Sequence, residues 1–159
     1  MSRIQRKNSI DTIDQRILSA LQKDGRLTYV QLADKVGLSE SACLRRVRLL
    51  EKNGIIDQYV MLIDQMSIGK PGNVFVRVTL EGQQQEKLQH FEREIIQVKE
   101  VMECYLMSGD SDFLLRIIIS DNDDYMRIHN RLTSIPGVLR VQSSFALKTV
   151  LKKTELPLD

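Results

Sequence analysis

Four side chains share one line at helical spacing: Ser41, Arg45, Arg48 and Lys52 stand at i, i+4, i+7 and i+11. Three cations and a hydroxyl so arranged can neutralise phosphates and donate hydrogen bonds to base edges. Cys43, Val47 and Leu50 fall on the other side at i, i+4 and i+7 and read as a buried stripe. Ser39, just before the line, and Arg46, beside Arg45, complete the expected DNA-contacting set. An ordinary solvated helix face is the competing reading of the same charges.

The elements that must hold this line are legible in local signals. Thr28 and Gln31 form a capping box, and Leu27 and Leu32 are spaced as its hydrophobic staple. Gly37 ends that helix. Ser39 is a good N-cap for the next, with Leu38 and Cys43 as staple pair. Gly54 stops the second helix, and Leu50 and Ile55 have the spacing of a Schellman contact. Helix, tight turn and helix make a helix-turn-helix, whose second helix enters the major groove N-terminus first. An earlier helix is expected from an N-cap at Asp11, with Ile13, Ile17, Leu18 and Leu21 as its apolar face and Gly25 as its stop. The polar segment 1–10 reads as an unstructured terminus, with an arm touching the DNA backbone as the alternative.

The charge balance agrees with this placement. The 159-residue chain carries a net charge of only +2. Residues 1–64 hold eleven Lys/Arg against eight Asp/Glu, and residues 65–159 hold twelve against thirteen. The basic surplus therefore lies with the helix-turn-helix. Cys43 and Cys104 lack metal-ligand spacing and are expected as small buried apolar groups in a reducing cytoplasm. No metal or cofactor is expected. No run has the length of a membrane span, so no membrane partner is expected either.

Beyond Gly54 the chain changes character. Residues 56–72 read as a strand-like hinge or extended linker ending in the glycine- and proline-containing SIGKPGN. Strands are expected at 73–80, 101–107, 112–120 and 138–147. Between them, Leu88, Phe91, Ile95 and Val98 mark one helix, and Tyr125, Ile128, Leu132 and Ile135 another. Strand, helix, strand, strand, helix, strand is the ferredoxin-like order. The fold class is thus α+β, with a trihelical, winged-helix-like domain at 1–55, the hinge at 56–72 and the ferredoxin-like domain at 73–159. Met102, Cys104 and Leu106 are expected to oppose Val101, Tyr105 and Met107, which would make the sheet apolar on both faces. One such face would be left in water by a monomer, so a homodimer packed sheet to sheet is expected. Its two-fold symmetry suits near-palindromic double-stranded DNA.

Gly109, Asp110 and Asp112 flank a tight turn. Glycine admits close backbone approach and carboxylates can hold an ammonium group, although a hairpin turn uses the same residues for their tolerance alone. His90 and His129 sit apart from any nucleophile or acid cluster at a telling spacing and are expected to be exposed or capping. The acidic run 121–124 fits a helix N-terminus. No enzyme is expected.

Several of these stretches, taken together, resemble the Lrp/AsnC (feast/famine) family of transcriptional regulators, from Asp11 to Val150. The carriers are Asp11, Asp14, Ile17 and Leu18, then Gly25-Arg26, the stretch LADKVGLSESACLRRVRLLEKNGII, GDSDFLLRI at 109–117 and IPGV at 135–138. The tail stretches SSFALKTV and ELPL are similar to the amino-acid-responsive branch. The resemblance implies a cytoplasmic, nucleoid-associated regulator that binds specific sites on DNA and responds to a small amino acid or relative. It implies dimers that assemble further, often to octamers, with ligand held between dimers. Carried over, it makes Gly109, Asp110, Asp112 and Ser143 the effector residues, with Val141 where a second hydroxyl is common. A sequence-indifferent architectural DNA-binding protein and a ferredoxin-like enzyme are the alternatives.

Overall fold

The computed structural model describes residues 10–158, which fall into two compact units: 62–150, and residues up to 61 together with those from 151. The N-terminal segment expected to be unstructured lies, but for Ile10, outside the described residues.

The first unit is three helices: α1 (Thr12–Lys23), α2 (Tyr29–Val36) and α3 (Glu40–Lys52). Each start carries its expected cap. Asp11 accepts the N–H of Asp14 at 2.8 Å, and Ser39 that of Ala42 at 3.3 Å. The Thr28–Gln31 box closes in both directions, at 2.9 and 3.2 Å. Gly37 adopts φ +74°, a left-handed conformation that a side chain would resist. After Gly54, the N–H of Ile55 returns to the carbonyl of Leu50 at 2.9 Å, as a Schellman motif requires. Ile17, Leu32, Val36, Cys43, Val47 and Leu50 make the core. Burying each large aliphatic among them is worth about 1.5–3 kcal/mol.

The tail departs from expectation, because residues 151–158 belong with the helices rather than with the sheet. The Leu156 N–H donates to Gln22 Oε1 at 2.6 Å, and Gln22 Nε2 donates to the Leu156 carbonyl at 3.1 Å. A primary amide satisfies both groups of an otherwise unpaired extended residue. Leu158 then packs on the helical core and borders a groove of about 530 Å³ with Thr12, Ala20, Leu27 and Val36.

The hinge takes the extended-linker form of the two expected. Residues 57–64 form no strand, since none of the described residues offers them a ladder. Val60, Met61, Leu62 and Ile63 are all exposed.

The second unit runs β1 (Gly72–Leu80), α4 (Gln85–Ile95), β2 (Val101–Leu106), β3 (Phe113–Ile119), α5 (Asn122–Thr133) and β4 (Val138–Phe145). The sheet order is β2-β3-β1-β4, with every neighbour antiparallel, which is the ferredoxin-like topology. Val74, Val76 and Val78 pair with Ile117, Leu115 and Phe113 and bury one face against Phe91, Ile95, Ile128 and Leu132.

The other face is more polar than expected. An irregularity between Val101 and Glu103 shifts the register of β2, so Val101 pairs with Ile117 and Cys104 with Leu115. Val101 and Cys104 therefore share the helix-covered side instead of opposing each other. Cys104 is exposed at this edge strand, contrary to expectation, whereas Cys43 is buried. Phe75, Leu114, Ile118 and Tyr105 remain on the open face, but Arg77, Arg116 and Glu103 stand among them. Arg116 is held there by Glu103 at 2.7 Å and Asn73 at 3.1 Å.

Candidate functional site

On α3 the exposed line forms as the spacing predicts. Ser41, Arg45, Arg48 and Lys52 are exposed, while Cys43, Val47 and Leu50 are buried behind them. Among the described residues, none of these three cations has a carboxylate partner. Their charge is therefore open to an external anion. Ser39 lies at the helix N-terminus, its Oγ shared between the Ala42 N–H and Ser41 Oγ at 3.4 Å. That end of the helix carries unpaired N–H groups and the positive pole of the dipole, which favour a phosphate.

Arg46 parts from the expected set. Its Nη1 lies 2.8 Å from Asp11 and 2.7 Å from Asp14, so its cation is engaged by α1. One step from Arg45 along a helix is a rotation of about 100°, which carries the side chain away from the exposed line. The cap to Asp14 and the contact with Arg46 hold the Asp11 carboxyl below its usual range.

The second candidate site is the turn between β2 and β3. The Met107 N–H closes it on the Asp112 carbonyl at 2.8 Å. Gly109, at φ +123°, and Asp110 stand exposed at its tip. Asp112 is buried, and both its oxygens are used: Oδ2 by the Leu80 N–H at 2.7 Å, Oδ1 by Gln83 Nε2 at 2.8 Å. A carboxylate so occupied staples the turn to the end of β1, whereas Asp110 is exposed. Ser143 lies on β4, half-buried beside Val76 on the helix-covered face, its Oγ without a partner. The turn joins β2 to β3, and β3 lies two strands from β4, so Ser143 and the turn are at least two strand spacings apart, roughly 10 Å. One chain does not bring them together.

Residues the sequence reading left aside do structural work. Lys70 Nζ reaches Asp124 at 2.8 Å, and Asp124 also accepts from the Ser120 N–H and from Arg127. Asp121 caps α5, as the acidic run implied. His129 is neither exposed nor capping: its ring lies against Tyr125 and its Nδ1 is buried without a partner. The one signal available for these contacts was the acid at the start of each helix, which names a donor type and no particular donor.

A capped helix-turn-helix with an open cationic line, joined to a ferredoxin-like sheet domain, defines a two-domain DNA-binding regulator. Comparison with known proteins agrees with this for both units. Residues 10–57 match a winged helix-turn-helix DNA-binding family, and residues 73–156 match the Lrp/AsnC ligand binding domain. The chain belongs to the Lrp/AsnC family of transcriptional regulators. It is 43% identical over 150 residues to the Bkd operon transcriptional regulator of Pseudomonas aeruginosa, covering 94% of this chain and 98% of that protein. It is 35% identical to the leucine-responsive regulatory protein of Escherichia coli K12, covering 92% and 90%. Among solved structures, a Neisseria meningitidis transcriptional regulator in complex with L-Met matches with a TM-score of 0.90 at 36% identity, covering 95% and 98%. No helix among the described residues is long and apolar enough to cross a membrane.

Proposed function

We propose that this chain binds near-palindromic DNA as a homodimer and that a small amino acid adjusts its binding or assembly. The carrying observation is the unpaired line Ser41, Arg45, Arg48 and Lys52 on the capped helix α3. Arg45 and Arg48 meet base edges, and Lys52 meets phosphate.

Dimerisation uses the open face of the sheet, where Phe75 and Tyr105 are exposed and Leu114 and Ile118 half-buried, together with the exposed hinge residues Val60 to Ile63. Dimers then assemble further, as far as an octamer, with the effector site between them. Gly109 and Asp110 of one copy are too far from Ser143 of the same chain to grip one small molecule, so the ligand sits where copies meet. Asp110 holds the α-ammonium, while Asp112 fixes the turn that presents it. Val141, half-buried two residues before Ser143, offers methyl groups where relatives carry a hydroxyl, which suits an apolar side chain such as that of methionine. The protein acts on the nucleoid, in the cytoplasm, and carries no catalytic role.

The test is selection of duplexes from a random library. Anisotropy and light scattering then follow titration with L-methionine, L-leucine and L-alanine. Equal affinity for selected and unselected duplexes overturns sequence-specific binding. Identical DNA affinity and particle size with every amino acid overturns the effector assignment.

A further inference from the structure

Arg46 sits on the recognition helix, next to a residue assigned to base contact, yet its guanidinium turns inward. It bridges Asp11, the N-cap of α1, and Asp14, one turn further along. Asp11 serves two purposes: Oδ1 caps the helix and Oδ2 holds Arg46. Asp14 is 17% exposed and Arg46 26%, against the full exposure at which such pairs contribute little.

Two consequences follow from this placement. First, the pair ties α3 directly to α1, in addition to the apolar core between them, and so sets the angle at which the exposed line is offered. Second, it neutralises two carboxylates, Asp11 (51% exposed) and Asp14, on the unit that must approach a polyanion. Left unpaired, both would repel phosphates across a partly desolvated gap.

We propose that Arg46 is a positioning residue for DNA recognition: it clasps the recognition helix to α1 and masks Asp11 and Asp14 from the DNA, without touching DNA itself. This rests on α3 being the recognition helix, as proposed above.

The test uses the full chain, one duplex selected by the parent protein and one random duplex of the same length. Arg46→Met keeps the aliphatic stem and removes the charge. It should weaken binding to the selected duplex about tenfold, the cost of one lost charge-assisted interaction. Adding Asp11→Asn and Asp14→Asn to Arg46→Met removes the exposed acids, and asparagine still caps a helix. This triple variant should regain affinity to within about threefold of the parent. Arg46→Lys, which keeps the charge, should stay close to the parent. A group that donates to DNA would leave the triple variant as weak as Arg46→Met, and that result overturns the proposal. A group that only holds the fold would lower the melting temperature of Arg46→Met with no loss of affinity in the folded range, which also overturns it. A parent chain with no preference for either duplex overturns the recognition-helix reading instead, and the melting temperatures then still report whether the clasp exists.

Discussion

Leu80 donates its backbone N–H to the buried carboxylate of Asp112 at 2.7 Å, across the point where the β1–β4 register shifts. The last residue of β1 is thereby tied to the end of the turn between β2 and β3. Asp112→Ala should therefore destabilise the second unit by about 1–3 kcal/mol, the cost of a buried N–H left unpaired. Thermal denaturation measures it. An unchanged melting temperature would show that Leu80 finds another acceptor. Asp112→Asn keeps one acceptor oxygen and should fall in between.

Arg45→Ala and Arg48→Ala should each cost about 1–3 kcal/mol at a selected duplex and relax the preference at one base position. Lys52→Ala should weaken all duplexes alike and lower the slope of log affinity against log salt by about one. Anisotropy across a salt series separates these outcomes. Full affinity in both arginine variants would move the interface off this face.

Asp124 should make the sheet unit sensitive to acid. The Lys70 ammonium, the Ser120 N–H and the Arg127 guanidinium hold its carboxyl well below the ordinary range. A carboxylate depressed in the folded state adds stability above its unfolded value, near 3.8. That stability is lost as the pH falls below this value toward the folded one. The melting temperature of Asp124→Asn should thus lie below the parent's at pH 7, and the gap should begin to narrow only as the pH falls below about 3.8. A constant gap would contradict the ion pairs.

Leu114→Asp should break the proposed dimer. Leu114 is half-buried on the open face of β3, paired with Arg77 and Tyr105. A carboxylate there, even with Arg77 across the strand, must give up its water in a sheet-to-sheet contact, while the helix-covered core is untouched. Sedimentation should show a monomer that is folded by circular dichroism and binds the selected duplex more weakly. A dimer of parental strength would place the contact elsewhere.

The fold was legible where its causes are local. Caps at Asp11, Thr28 and Ser39, glycine exits at Gly37 and Gly54, and the two helical periods of the sheet unit involve neighbours within a few residues. The exposed cationic line was legible for the same reason, since helical spacing alone separates Arg45, Arg48 and Lys52 from Cys43 and Val47. Contacts between distant segments were not. Nothing near Arg46 names Asp14 as its partner 32 residues away, and nothing near Asp112 names Leu80. The irregularity in β2 escaped because strict alternation is the default for a strand, and one displaced residue reverses the side on which Val101 falls.

The docked tail bears on how the protein is handled at the bench. Thr12 and Leu158 border the same groove, so both ends of the described chain lie on the helical unit. A purification handle or fluorophore fused beyond Leu158 is carried by the DNA-reading half, beside the Gln22–Leu156 pairing, although the sequence order places it after the sensor. A label meant to report on the sheet unit belongs inside the chain, at a site such as the wholly exposed Leu147.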